Sequence, residues 1–153
     1  MNNFVGDNSD IHNIARGLLR QGDDIILCHM EDAEWYFLPG GHIENGESAK
    51  LSLKRELEEE LVDPTFSIGE FIGVCESVFS TDEGKQHEIN IIFQVEIDTN
   101  TEIQSAEDHI EFIRASENKL GEYNVLPTQL HEGVIEWLDS NERFFKKLDQ
   151  DAA

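Results

Sequence analysis

The chain predicts a mixed α/β fold, in which helices flank a mixed β-sheet, on three observations. Short runs rich in branched and aromatic residues recur along it. One uninterrupted stretch from Ser48 to Leu61 contains no Gly, Pro or Val, and helical spacing returns after Thr128.

The first strands are read from Ile11 to Arg20 and from Ile25 to Cys28, because Gln21-Gly22-Asp23-Asp24 between them supplies turn chemistry and makes the pair a hairpin. Glu34 to Leu38 reads as a third, aromatic-rich strand, and Pro39-Gly40-Gly41 stops it and begins a loop. After the Asn45-Gly46 turn, Ala49, Leu53, Leu57 and Leu61 recur every fourth residue among good helix formers, which predicts a helix over 48–61. Pro64 marks its stop. The runs Thr65 to Phe79 and Glu88 to Ile97 are strands, with the polar segment Ser80 to Gln86 between them as a long hairpin connection. Ile110 to Arg114 is a sixth strand. Leu130, Val134, Ile135 and Leu138 place a second helix from Thr128 onward, after which Asp149 to Ala153 is expected to fray.

A length of 153 residues suits one domain spanning 1–153. The composition is 39% hydrophobic and 29% charged, close to that of ordinary globular chains, so disorder is not expected. Charge is the unusual feature: 33 Asp and Glu stand against 11 Lys and Arg, a formal net charge of -22. Binders of nucleic acid and of anionic membranes depend on clustered cations, so this surface argues against DNA and membrane partners. No apolar run approaches the roughly 20 residues that span a bilayer. The opening Met-Asn-Asn-Phe-Val-Gly-Asp has no basic segment followed by an apolar one, which makes cytoplasmic residence the expectation. Cys28 and Cys75, each in an apolar strand-like run, read as buried thiols.

Most of the acidic excess is a solvated, solubilising surface. The segment Lys54-Arg55-Glu56-Leu57-Glu58-Glu59-Glu60-Leu61 is different. On a helical wheel with Glu56 at zero, the apolar stripe lies at about 20° to 140°, Glu60 near 40° and Glu59 near 300°. Glu58, near 200°, alone points away. Carboxylates beside a buried stripe repel one another and resist desolvation unless cations stand between them, and hard divalent ions such as Mg²⁺ or Mn²⁺ fill that role with carboxylate oxygens.

Gly41, five residues, Glu47, seven residues, then Arg55-Glu56-Leu57-Glu58-Glu59-Glu60 resembles the Nudix box, G-x5-E-x7-R-E-U-x-E-E-x-G-U, where U is a large aliphatic residue. Seven fixed positions match with their spacing intact. Val62 stands where the pattern has Gly and Asp63 where it has an aliphatic residue, so the helix must end differently here.

The resemblance implies the Nudix α/β/α sandwich, with a mixed β-sheet between helices. It implies water attack on a phosphorus of a nucleoside diphosphate derivative, aided by Mg²⁺ or Mn²⁺, and a small-molecule nucleotide diphosphate as substrate. By position, Glu56, Glu59 and Glu60 are the implied carboxylate ligands and Gly40 offers its carbonyl. Arg55 orients a box glutamate, and Glu47 supports the loop or pairs with that arginine. Glu56 is the first choice of general base and Glu107 the second, also a candidate metal ligand; Glu88 is a further candidate. The family often forms dimers, so a homodimer is compatible with the resemblance. A nucleotide-sensing module without turnover, or a pyrophosphohydrolase acting on RNA 5′ ends, are the alternatives. Trp35, Tyr36, Phe37 and Phe79 are conceivable base-stacking residues, although core packing is the expectation for most of them.

Overall fold

The computed structural model describes residues 10–63 and 65–148. The helix stop expected at Pro64 and the frayed end expected at 149–153 lie outside the described residues.

The sheet is mixed. Strands β1 (Ile11–Gln21), β2 (Asp24–Met30), β3 (Tyr36–Phe37), β4 (Gly40–His42), β5 (Phe66–Thr81), β6 (Gly84–Ile97), β7 (Ile110–Ser116) and β8 (Phe144–Lys146) share one hydrogen-bonded sheet. Its main path runs β3-β2-β1-β6-β5-β8, with β4 joined to β1 and β7 to β2. β1 lies parallel to β6 and β5 parallel to β8, while the other pairings are antiparallel.

Alternation along the strands produces two cores. On one face of the sheet, Leu53, Leu57 and Leu61 of the acidic helix α1 (Ala49–Glu60) and its C-cap meet Ala15, Leu19 and Ile26. On the other, Leu130, Val134 and Trp137 of α2 (Thr128–Ser140) meet Leu18, Ile25 and Leu27. Leu18 and Leu19 are neighbours in sequence yet are fully buried against different helices, because successive side chains in a strand point to opposite faces. The sheet between two helices is the sandwich that the sequence predicts. Trp137, 2% exposed, is the largest buried side chain of the α2 face. Trp137→Ala is expected to cost about 3–5 kcal/mol of unfolding free energy, read as a lower denaturant midpoint at an unchanged slope.

Four local differences from the sequence reading have simple causes. The segment after Pro39 is not only a loop: Gly40–His42 pairs with β1 in the register Ile14↔His42, Ala15↔Gly41 and Arg16↔Gly40. The polar segment 80–86 is mostly strand, since β5 and β6 pair out to Thr81↔Gly84 and leave a two-residue turn at Asp82 and Glu83. Exposed strands tolerate polar residues on both faces, so alternation vanishes there. A short 3₁₀ helix, Glu117–Glu122, follows β7. β8, of three residues, is too short for any period; the Phe144 ring packs so close to Gly73 that a Cβ there would lie 2.5 Å from it.

Helix α1 starts and stops by legible chemistry. Ser48 is its N-cap, its hydroxyl accepting from the Leu51 N–H at 3.1 Å. At the other end Leu61 is extended, with φ -97° and ψ 135°, so no left-handed residue is needed and Val62 is tolerated. The exit is held instead by strand-like pairing: Leu61 bridges Ser105, and the Val62 N–H donates to the Gln104 carbonyl at 3.0 Å.

Candidate active site on the acidic helix

Burial along α1 sorts the acids. Glu60 is buried at 8% exposure, the Glu56 side chain is 20% exposed, and those of Glu58 and Glu59 are exposed. Glu58 pairs with Lys54 at 2.7 Å, one turn away, as a solvating residue should. Glu59 is more exposed than its share of the wheel suggests, because it sits at the open margin of the stripe.

Arg55 is the hub of the site. Its guanidinium grips both oxygens of Glu47, through Nε at 2.8 Å and Nη2 at 2.9 Å, and donates through Nη1 to Glu56 at 2.9 Å. Nη1 stands 3.6 Å from Glu59, and Nη2 also reaches the His42 carbonyl at 3.2 Å. The Arg55 grip, with the Glu44 N–H, lowers the Glu47 carboxyl to about 2. Hydrogen bonds to Glu47 and then Glu56 raise the guanidinium well above its ordinary value. Eight residues separate Glu47 from Arg55, and the pair clamps the loop before α1 to the helix.

Gly41 faces the Glu56 carboxylate so closely that a Cβ would lie 2.5 Å from Oε2. Gly40 has φ +146°, which only glycine adopts readily, and its backbone lies close enough to Glu60 to favour the charged form of that carboxyl. The pair of glycines therefore lets the main chain press against two acids of the helix at once.

Glu60 is the least comfortable acid. Burial, and then the charges of Glu56 and Glu107, raise its carboxyl to about 8, with Arg16 and the Gly40 backbone partly opposing. Its Oε1 is buried and has no hydrogen-bond partner among the described residues. Glu107 stands in this company because its loop docks on the end of α1: the Ala106 N–H donates to the Glu60 carbonyl at 2.8 Å, and the Ser105 hydroxyl accepts from the Glu107 N–H at 3.0 Å.

Among the described residues, no three acidic, histidine or cysteine side chains converge as a ready ligand cage, since Glu56 and Glu59 lean toward Arg55. The donor set nevertheless suits a hard divalent cation. It is all oxygen, it is crowded with like charge, and one buried oxygen is unsatisfied.

At the N-terminal end of α2, where Thr128 and Gln129 line it, lies a cavity of about 620 Å³. Trp35, Phe37 and Phe79 line it, which corrects the expectation of core packing for these three. Trp35 and Phe37 are two apart on an extended segment and share one face, their rings 5.6 Å apart. Tyr36 faces the other way onto Tyr123, 5.3 Å between centroids, and is a core residue. Arg16 and Glu88 also line the cavity. Sequence reasoning named Glu88 but missed Arg16 and Asn90, whose pairing depends on β1 lying parallel to β6.

The NUDIX domain family model matches residues 11–139. No curated protein matches the chain in sequence. Solved structures share the fold at low identity. A MutT protein from Methanosarcina mazei Go1 is 22% identical with a TM-score of 0.69, over 87% of this chain and 96% of that one. A NUDIX hydrolase from Nitrosomonas europaea is 14% identical with a TM-score of 0.69, over 91% and 79%. A UDP-X diphosphatase is 16% identical with a TM-score of 0.62, over 92% and 68%. With the family match extending over most of its length and Arg55, Glu56, Glu59 and Glu60 gathered on α1, the chain belongs to the NUDIX family.

Proposed function

We propose that the chain is a divalent-metal-dependent pyrophosphohydrolase that cleaves the diphosphate linkage of a nucleoside diphosphate derivative by water attack on phosphorus. The observation that carries the reading is Glu60, a buried carboxylate with an unpartnered oxygen beside Glu56 and Glu107. A carboxylate in that setting stabilises nothing unless a cation accompanies it. The diphosphate in the name of the UDP-X diphosphatase is consistent with this substrate class.

Glu56, Glu59 and Glu60, with Glu107 and the Gly40 carbonyl, would hold Mg²⁺ or Mn²⁺. The bound ion would supply charge to the diphosphate oxygens and a lowered pKa to the attacking water. The chain's own groups do the rest. Glu56, pressed against Gly41, is the proton acceptor for the water, with Glu107 as the second choice. Arg55 fixes the Glu56 carboxylate, and Glu47 fixes Arg55. The cavity walled by Trp35 and Phe37 excludes water from the part of the substrate that does not react.

Incubation with a panel of nucleoside triphosphates, nucleotide sugars and dinucleoside polyphosphates should release phosphate, pyrophosphate or a nucleoside monophosphate only when Mg²⁺ or Mn²⁺ is present. Robust turnover in excess chelator would overturn the assignment.

A further inference from the structure

The cavity at the N-terminal end of α2 has apolar, aromatic walls and one charged edge. That edge is a relay across two strands. The Arg16 Nε donates to the Asn90 side-chain oxygen at 2.8 Å, and its Nη1 donates to the Leu38 carbonyl at 2.9 Å. Fully buried Asn90 then donates to Glu88 Oε1 at 3.2 Å. Both ends of the relay keep something in reserve. Arg16 Nη2 makes no hydrogen bond among the described residues and stands 4.0 Å from Glu88 Oε1. Glu88 Oε2 has no hydrogen-bond partner among the described residues, although its side chain is only 16% exposed.

Such an edge has a definite complement. A carboxylate repels phosphate, so the polyphosphate cannot be what meets Glu88; the uncharged end of the substrate must be. Flat aromatic walls and a volume within the range of ordinary ligand pockets suit a nucleobase. Glu88 offers only acceptors, and Arg16 beside it offers only donors. Guanine carries a carbonyl oxygen, a ring N–H and an amino group in a row, which matches the guanidinium followed by the carboxylate. Hypoxanthine lacks the amino group. Adenine sets a bare ring nitrogen next to its amino group, and that lone pair opposes a carboxylate oxygen.

We infer that Glu88 is the specificity-determining residue of this cleft and that, with Arg16 held beside it by Asn90, it selects guanine as the base of the substrate. The inference rests on the hydrolase reading for the word substrate, but its test does not need turnover. Trp35 in the wall reports on occupancy by fluorescence, so guanosine, inosine and adenosine monophosphates can be titrated into metal-free protein.

A hydrogen bond to a charged acceptor separates ligands by roughly ten- to a hundredfold. The guanine nucleotide is therefore expected to bind at least about tenfold more tightly than the other two, and Glu88→Gln to bring its affinity down to theirs. Equal affinity for all three in the unaltered protein, which depends on no variant's folding, overturns the inference. So does an unchanged guanine preference in a folded Glu88→Gln protein. Guanine-selective binding with no hydrolysis across the nucleotide panel would retain Glu88 and discard the proposed reaction; hydrolysis with no preference among bases would do the reverse.

Discussion

Glu60→Gln is expected to lower hydrolysis by roughly 10²- to 10⁴-fold while making the metal-free protein more stable than its parent at pH 8 and above. The loss of activity follows from removing a carboxylate from the proposed ion-binding set. The gain in stability follows from its pKa. The folded carboxyl titrates near 8, against an ordinary value of 4.5, so at neutral pH the folded state holds a proton that the unfolded chain has released. The stability that comes with that proton is complete below about pH 4.5 and is lost as pH rises through 8. Glutamine has the same shape, stays neutral, and escapes the loss. The melting temperatures of the two proteins in chelator should diverge from pH 5 to pH 9, with a final gap of about 5 °C or more. Parallel profiles would show that Glu60 is not a buried, reluctant anion. Glu59→Gln offers the contrast: it is exposed, so its melting temperature should stay close to the parent's at every pH although activity falls comparably.

Gly40→Ala should be among the most damaging single changes in the chain. With φ +146°, a Cβ at this position would run into the Ala15 carbonyl oxygen and lie 2.8 Å from the Arg16 Cα, both of them backbone atoms of a central strand. Neither can yield without breaking the β1–β4 pairing. A loss of at least about 4 kcal/mol, seen as insoluble or thermally labile protein, is expected. The neighbouring Gly41→Ala separates folding from function. The three atoms nearest its Cβ would all belong to the Glu56 carboxylate, the far end of a flexible side chain, so the protein should fold with stability within about 1 kcal/mol of the parent. The displaced carboxylate should lower kcat about a hundredfold. If Gly41→Ala kept full activity, Glu56 would have no need of its observed position.

The surroundings of the two positions explain why glycines precede this helix. One is required by the backbone path and the other by the room a carboxylate takes up. Neither reason concerns flexibility.

The acidic helix was readable in the sequence because helical periodicity is local: the side chains that share its face are three and four residues apart, and Ser48 and the leucine stripe declare its start and its buried side. The spacing of Glu47 from Arg55 likewise survives as a direct ion pair. What the sequence could not rank was decided by contacts between residues far apart in the chain. Glu107 stands near Glu60 because the Ser105 loop docks on the helix exit, where Leu61 leaves in an extended conformation. Arg16, Asn90 and Glu88 form one edge only because β1 and β6 run side by side in parallel, a register set by which faces must be buried and not by any local pattern. Trp35 and Phe37 line a cavity, whereas Tyr36 packs in the core, because strand alternation divides them and only the packed sheet shows which side is open. The chemistry of the site was therefore written in spacing along one helix, and its partners and its pocket were settled by strand register and loop docking, which act through space.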